Sequence, residues 1–242
     1  MKVKFLGKNQ EVLPYSPGLL DAVSRNNLSP MDLYFGYDLW TAYEFSYLNS
    51  SNQPVLEILE IKIPMSTKQT VESKSLKLYL ASFYKKKFTK LQKALKLIEK
   101  DLSFLLNARV QVKKINKLLH PPKSYLITGK SRVIARDKIF RFEGFRSICP
   151  VTSQPDWATL YFHSASDQVN LQTLSKQLKS YREQGDFHET CIENIFLNLC
   201  QDQNLSNLTV FGRFLRRGGI DINPLRSTAK QSVFKHFRDI YQ

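Results

Sequence analysis

The 242-residue chain carries 36 Lys and Arg against 21 Asp and Glu, a formal charge of +15, and 42% of its residues are apolar. That composition suits a folded protein with a full core and excludes an intrinsically disordered one. No apolar run approaches the ~20 residues that span a bilayer, and the basic balance points to anionic partners without choosing among nucleic acid, nucleotide cofactors or none.

The opening stretch "MKVKFLGKNQEV" is charged and has no sustained apolar segment, so no signal peptide is expected. Residues 46–63 read as strand, turn and strand around Gln53–Pro54. A helix is expected from "ESKSLK" (72–77), with Ser73 as its N-cap. Leu91, Leu95, Ile98 and Leu102 step by three or four residues, the period of an apolar helix face, and "ARVQVKKI" (108–115) is a strand candidate. Pro121–Pro122, within 118–131, then breaks the chain.

The same order recurs. "SICPVTSQPDWATLYFHS" (147–164) aligns with 46–63, placing Gln154–Pro155 on Gln53–Pro54, Cys149 on Leu48 and Asp156 on Val55. Residues 169–187 align with 71–88, and there Asn170 falls on Glu72. Ile192, Ile195, Phe196 and Leu199 mark a second long helix, and "LTVFGRFL" (208–215) a closing strand. The sequence therefore predicts an α+β fold of two tandem modules, 1–120 and 121–242, each an antiparallel sheet with helices packed on one face. Each copy keeps different polar residues, which implies one composite site shared by the two.

Cys149, between Ile148 and Pro150, sits at a strand end or loop, where either a packed core thiol or a nucleophile fits. Asp156 is a turn residue or, beside a thiol, a proton donor. In "GDFHETC" (185–191), Asp186 is the expected N-cap of the second long helix. His188 and Glu189 there either suit the helix start or form an imidazole–carboxylate pair near a ligand, with Phe187 able to stack on a flat ring. Cys191 and Cys200 belong to the apolar side of that helix. "ESKSLK" offers Lys74 and Lys77 one turn apart at a helix start, and "RRGG" (216–219) offers arginines beside glycines; both suit phosphates or an ordinary solvated surface. Neither the Rossmann nor the P-loop glycine pattern is present, and no zinc-ligand spacing occurs.

Five stretches taken together, "FGYDLWTAYEFSYLN" (35–49), "VESKSLKLYLASF" (71–83), "CPVTSQPDWATLYF" (149–162), "GDFHETC" and "RRGGIDINP" (216–224), resemble the NADPH-dependent 7-cyano-7-deazaguanine reductases, nitrile reductases of the queuosine pathway of tRNA modification. The duplicated layout is similar to the two-module branch of that family, whose modules have the tunnelling fold. The resemblance implies that Cys149 attacks the nitrile carbon to give a covalent thioimide while Asp156 protonates the nitrogen. Two NADPH then complete the reduction to the aminomethyl base. It further implies that Val71, Glu72, Ser73, Phe187, His188 and Glu189 contact the deazaguanine, with His188 also aiding proton transfer, and that Ser73, Lys74, Arg217 and Gly218 hold NADPH. It implies no metal, no direct nucleic-acid partner, a cytoplasmic setting and a homodimer. Ser153 stands where the family usually has glycine, at the turn that aims Asp156.

Two other classes compete. A basic nucleic-acid-binding module without catalysis is suggested by the charge and by Tyr79, Phe83 and Tyr84 among lysines, but gives Cys149 and Asp156 no task. A tunnelling-fold pterin enzyme needs zinc ligands that four scattered histidines do not supply.

Overall fold

The computed structural model of the chain describes residues 14–25, 34–128, 133–134, 137–165, 168–203 and 205–242. The expected module break at 118–131 therefore falls partly outside the described residues. In chain order the elements are β1 (Ala22–Ser24), β2 (Phe35–Leu48), β3 (Pro54–Pro64), β4 (Gln69–Val71), α1 (Ser73–Ala81), α2 (Leu91–Leu106) and β5 (Gln111–Lys114). They continue with β6 (Tyr125–Leu126), β7 (Val133–Ile134), β8 (Lys138–Ile148), β9 (Pro155–Ser164), β10 (Val169–Asn170), α3 (Leu171–Ser180), α4 (His188–Asp202), β11 (Leu208–Phe214) and β12 (Ile220–Ser227).

The described residues form two compact units. The first draws on the described residues within 14–25, 39–117 and 217–220, the second on those within 34–38, 118–216 and 221–242. The fold is α+β: open, mainly antiparallel sheets with helices packed on them. In the first unit β3 lies between β5 and β2. In the second the order is β12, β11, β9, β8, β6, antiparallel except for the β6–β8 pair.

The apolar spacing translates directly into packing. On α2, Ala94, Leu95, Ile98 and Leu102 are buried with Leu59, Ile61 and Ile63 of β3 in the first unit's core. On α4, Ile192, Ile195, Phe196 and Leu199 join Leu160 and Phe162 of β9 in the second. Burial of such a side chain stabilises by about 1.5–3 kcal/mol, so each helix is held by its stripe rather than by propensity. Cys191 is fully buried in the same cluster and Cys200 packs against it, as the helix pattern indicated.

The opposite face of the second unit's sheet carries a feature the sequence did not suggest. The C-terminal segment lies there, with Tyr161 OH donating to Asp239 at 2.5 Å and Phe237 edge-on to the Tyr161 ring at 4.9 Å. Fully buried Arg213 donates to Gln242 Oε1 at 2.9 Å from beneath it.

Both modules repeat one hairpin device. In the first unit Leu48 N donates to Lys86 O at 3.0 Å and Phe88 N to Leu48 O at 2.9 Å, tying the end of β2 to the entry of α2. In the second, Ile148 N donates to Gln184 O at 2.8 Å and Asp186 N to Ile148 O at 3.1 Å, tying the end of β8 to the entry of α4. Leu48 thus corresponds to Ile148, one residue off the alignment expected from sequence. The cause is loop length: β2 and β3 are joined by residues 49–53, β8 and β9 by 149–154. The counterpart of Cys149 is Asn49, whose side chain accepts from Ser51 N and Gln53 N.

Candidate active site

Cys149 is the first residue beyond β8, half-buried, at the mouth of a six-residue loop closed by Cys149 N donating to Gln154 O and Ser153 N donating to Cys149 O, both at 2.9 Å. Across the hairpin Asp156 pairs in register with Ser147. Cys149 follows Ser147 by two residues, just past the end of β8, and Asp156 lies one residue into β9 on the other side of the loop. The parallel bridge between Ile148 and Gly185 brings the start of α4 beside this tip. The order of the chain thereby brings Asp156 and His188 together beside the hairpin.

Asp156 is buried, and its Oδ1 lies 3.2 Å from His188 Nε2. The His188 ring stacks on Phe214 of β11, centroids 3.9 Å apart and planes within 7°. That fixes the imidazole so that Nε2 faces the carboxylate, while the buried Nδ1 has no partner among the described residues. Phe214, unremarked in the sequence, is thus the platform of the imidazole.

Ser153 adopts φ +56°, in the left-handed region that costs a side-chain-bearing residue about 1–2 kcal/mol, which accounts for the glycine usual in the resembling family. Asn52 occupies the same conformation in the twin loop at φ +62°.

Glu189 and Glu193 are buried one turn apart on α4. Arg226 of β12, itself fully buried, donates from Nε to Glu193 Oε2 at 3.3 Å and from Nη1 to Asp38 Oδ1 at 2.9 Å. Burial opposes its charge, but Asp38, then Glu193, outweigh that and hold its pKa above the ordinary arginine value. Sequence reasoning missed this network because its members lie far apart in the chain. Beneath the helix start, burial pushes the Cys191 thiol far up, with Asp186 adding to the effect, so Cys191 is an inert neighbour of the site. The N-cap of α4 is Phe187, without a side-chain capping bond, and not Asp186; the Asp186 backbone is committed to the bridge with Ile148.

In the first unit, Val71 and Glu72 are buried and Ser73 and Lys74 half-buried at the start of α1. The N-cap is Glu72 and not Ser73: its carboxylate accepts from Lys74 N at 2.9 Å and Ser75 N at 2.7 Å. Asn170 caps α3 in the same way, accepting from Gln172 N and Thr173 N at 3.1 Å. Glutamate is an uncommon cap, which is why the neighbouring serine looked the better choice. The two backbone N–H groups of the helix start fix this carboxylate in place.

Arg217 opens a tight turn in which Arg217 N donates to Ile220 O at 2.9 Å, and Gly218 and Gly219 adopt φ +55° and +76°. A Cβ on Gly219 would collide with the Glu44 carboxylate, so only glycine fits. Lys74, Lys77, Glu44 and these glycines line a cavity of about 220 Å³. Two ammonium groups beside a glycine turn suit phosphate groups, so the residues present fit a nicotinamide dinucleotide phosphate. Among the described residues no group of three or more His, Cys, Asp or Glu is placed to hold a metal ion, and no helix is long and apolar enough to cross a membrane.

A thiol at the tip of a hairpin whose second strand opens on a buried carboxylate paired with an imidazole is the kind of residue set that adds sulfur to an electrophilic carbon with proton transfer. Residues 13–114 match the family model described as "Nitrile reductase, 7-cyano-7-deazaguanine-reductase N-term", and residues 155–233 that of "QueF-like protein". Proteins named NADPH-dependent 7-cyano-7-deazaguanine reductase are similar throughout: that of Desulfotalea psychrophila is 34% identical, with 88% of each chain covered. That of Burkholderia vietnamiensis is 33% identical, over 83% of this chain and 81% of its own. That of Coxiella burnetii strain Dugway 5J108-111 is 33% identical, over 94% and 92%. The chain belongs to the 7-cyano-7-deazaguanine reductase family.

Proposed function

We propose that this protein is an NADPH-dependent oxidoreductase that reduces the nitrile of 7-cyano-7-deazaguanine to the aminomethyl group, through a thioimide on Cys149, in queuosine biosynthesis. The observation that carries the reading is the pairing of buried Asp156 with His188 at 3.2 Å, at the hairpin whose loop begins with Cys149.

The chemistry asks little else of the chain. As Cys149, reacting as the thiolate, bonds to the nitrile carbon, one π bond opens and the nitrogen takes a proton from Asp156. Without that proton the imide anion would expel the sulfur. His188, fixed on Phe214, hands protons to and from Asp156. Glu189, Glu72 and the backbone beside it, Val71 and Ser73, take the donor edge of the base, and Phe187 lies against its ring. Ser73, Lys74, Arg217 and Gly218 hold NADPH, which when bound supplies the two hydrides that a nitrile-to-amine reduction needs. The reaction itself calls for no nucleic-acid partner. A cytoplasmic homodimer of two tandem tunnelling-fold modules, 1–120 and 121–242, completes the reading.

The test is to mix the protein with 7-cyano-7-deazaguanine without NADPH and look for a substrate-sized mass on Cys149 and a thioimide absorbance. Two NADPH should then be consumed per product. NADPH oxidation without any adduct on Cys149 would leave the reductase class standing and remove the covalent route.

A further inference from the structure

The proposed reaction uses none of the densest positive charge in the molecule. Eleven of the 36 Lys and Arg residues fall within 84–117, against two acidic residues. In the first unit this run builds a groove of about 730 Å³ between α2 and the edge formed by β5 and β3. Lys96, Lys100 and Ser103 line it from α2, Arg109 from the turn that follows, and Lys62 and Lys113 from the strands.

Both carboxylates in the groove are already committed. Glu60 pairs with Lys113 Nζ at 2.8 Å, and Glu99 Oε1 accepts the Val112 N–H at 2.8 Å. No ion pair among the described residues engages Lys96, Lys100 or Arg109, all of them exposed. Burial lowers the Lys62 pKa, Glu60 opposes that, and Lys113 adds a smaller lowering effect. The Glu99–Val112 bond also takes a backbone donor at the free edge of β5, which a second copy adding a strand there would need.

We infer that this groove binds single-stranded nucleic acid through its phosphates. Three features favour an extended polyanion over a compact one. The cations are spread over α2, the turn after it and the two facing strands. Lys93 to Phe104 covers about 16 Å of helix, over which one strand of a duplex carries about five phosphates. Phe104, next to Ser103, is 89% exposed on a helix whose apolar face is otherwise buried, and a bare ring beside phosphate-binding cations suits base stacking. Of the aromatics expected to stack, Tyr79 and Phe83 are fully buried in the core and only Tyr84 is exposed, and it does not line the groove.

The experiment measures binding of a fluorescein-labelled 12-nucleotide oligouridine by anisotropy from 0.05 to 0.3 M salt. The triple variant K96E/K100E/R109E should bind at least tenfold more weakly at 0.15 M. Its salt slope should shrink by about two, at ~0.7 per single-strand contact. F104A should weaken binding with the slope unchanged. Neither variant should alter the melting temperature or the nitrile reduction rate. A control of equal charge change in the second unit, K176E/K179E/K230E, should bind as the wild type does. Equal weakening by the control would mean that bulk charge alone attracts RNA, and would overturn the proposal. So would unchanged binding by the triple variant, or binding to phosphatidylserine vesicles in place of the oligonucleotide.

Discussion

Asp156 and His188, 32 positions apart in the chain, meet at 3.2 Å because Ile148 and Gly185 bridge the hairpin to the start of α4. The carboxylate is buried and the imidazole is held flat on Phe214, so neither group can turn away from the other. Asp156→Asn keeps the shape and removes the proton. Adduct formation and turnover should both fall by about 10²–10⁴-fold, the range for loss of a positioned acid. His188→Gln should lower turnover and change the pH profile while an adduct still forms. Single-turnover rates across pH 5–9 separate the two variants.

Ser153 at φ +56° holds the loop between the thiol and the acid. Ser153→Gly relieves the left-handed strain and gives up about 0.4–1 kcal/mol of unfolded-state restriction, so stability should change by less than about 1 kcal/mol. Ser153→Val forces a β-branched side chain into that conformation. It should cost about 1–3 kcal/mol in urea unfolding and slow adduct formation, because the loop that aims Asp156 must move.

Arg226 neutralises Asp38 and Glu193 without access to water. Arg226→Met leaves two buried carboxylates without their counter-charge, and should destabilise by about 3–5 kcal/mol in denaturant titration. Adding Asp38→Asn to that variant should recover part of the loss, which distinguishes charge imbalance from simple loss of packing.

Asp186 gives a pH signature. Burial raises its pKa, so the folded chain holds the proton more tightly than the unfolded one. The stabilisation from protonation is present below the unfolded value and is lost as pH rises through the raised folded value. Asp186→Asn should therefore melt higher than wild type at pH 7, with the difference closing as pH falls through the carboxylate range. Melting curves from pH 3 to 8 check this.

Much of the architecture was legible because it is local. The apolar steps of α2 and α4, the Gln-Pro entries to β3 and β9, and the repeat of hairpin, two helices and strand all follow from spacings of a few residues. Errors arose where a single residue decided the outcome. Glu72 and not Ser73 caps α1, Phe187 and not Asp186 precedes α4, and one extra loop residue moved the partner of Cys149 from Leu48 to Asn49. The lysine-flanked Tyr79 and Phe83 looked like a stacking surface and are core residues, since period alone does not say which face is buried. What could not be read was long-range pairing. Arg226 meets Asp38 from 188 positions away, and Phe214 meets His188 across the sheet. One sequence holds no record of such contacts. The chemistry of Cys149, Asp156 and His188 became legible only through motifs in combination, because each residue alone has an ordinary structural role.

The account stands most directly on the covalent role of Cys149. Intact-protein mass spectrometry after incubation with 7-cyano-7-deazaguanine, without NADPH, should show one added substrate mass on the wild-type chain and none on Cys149→Ala. On Cys191→Ala and Cys200→Ala the adduct should persist. An unmodified wild-type chain that still turns over, or an adduct that survives Cys149→Ala, would contradict it.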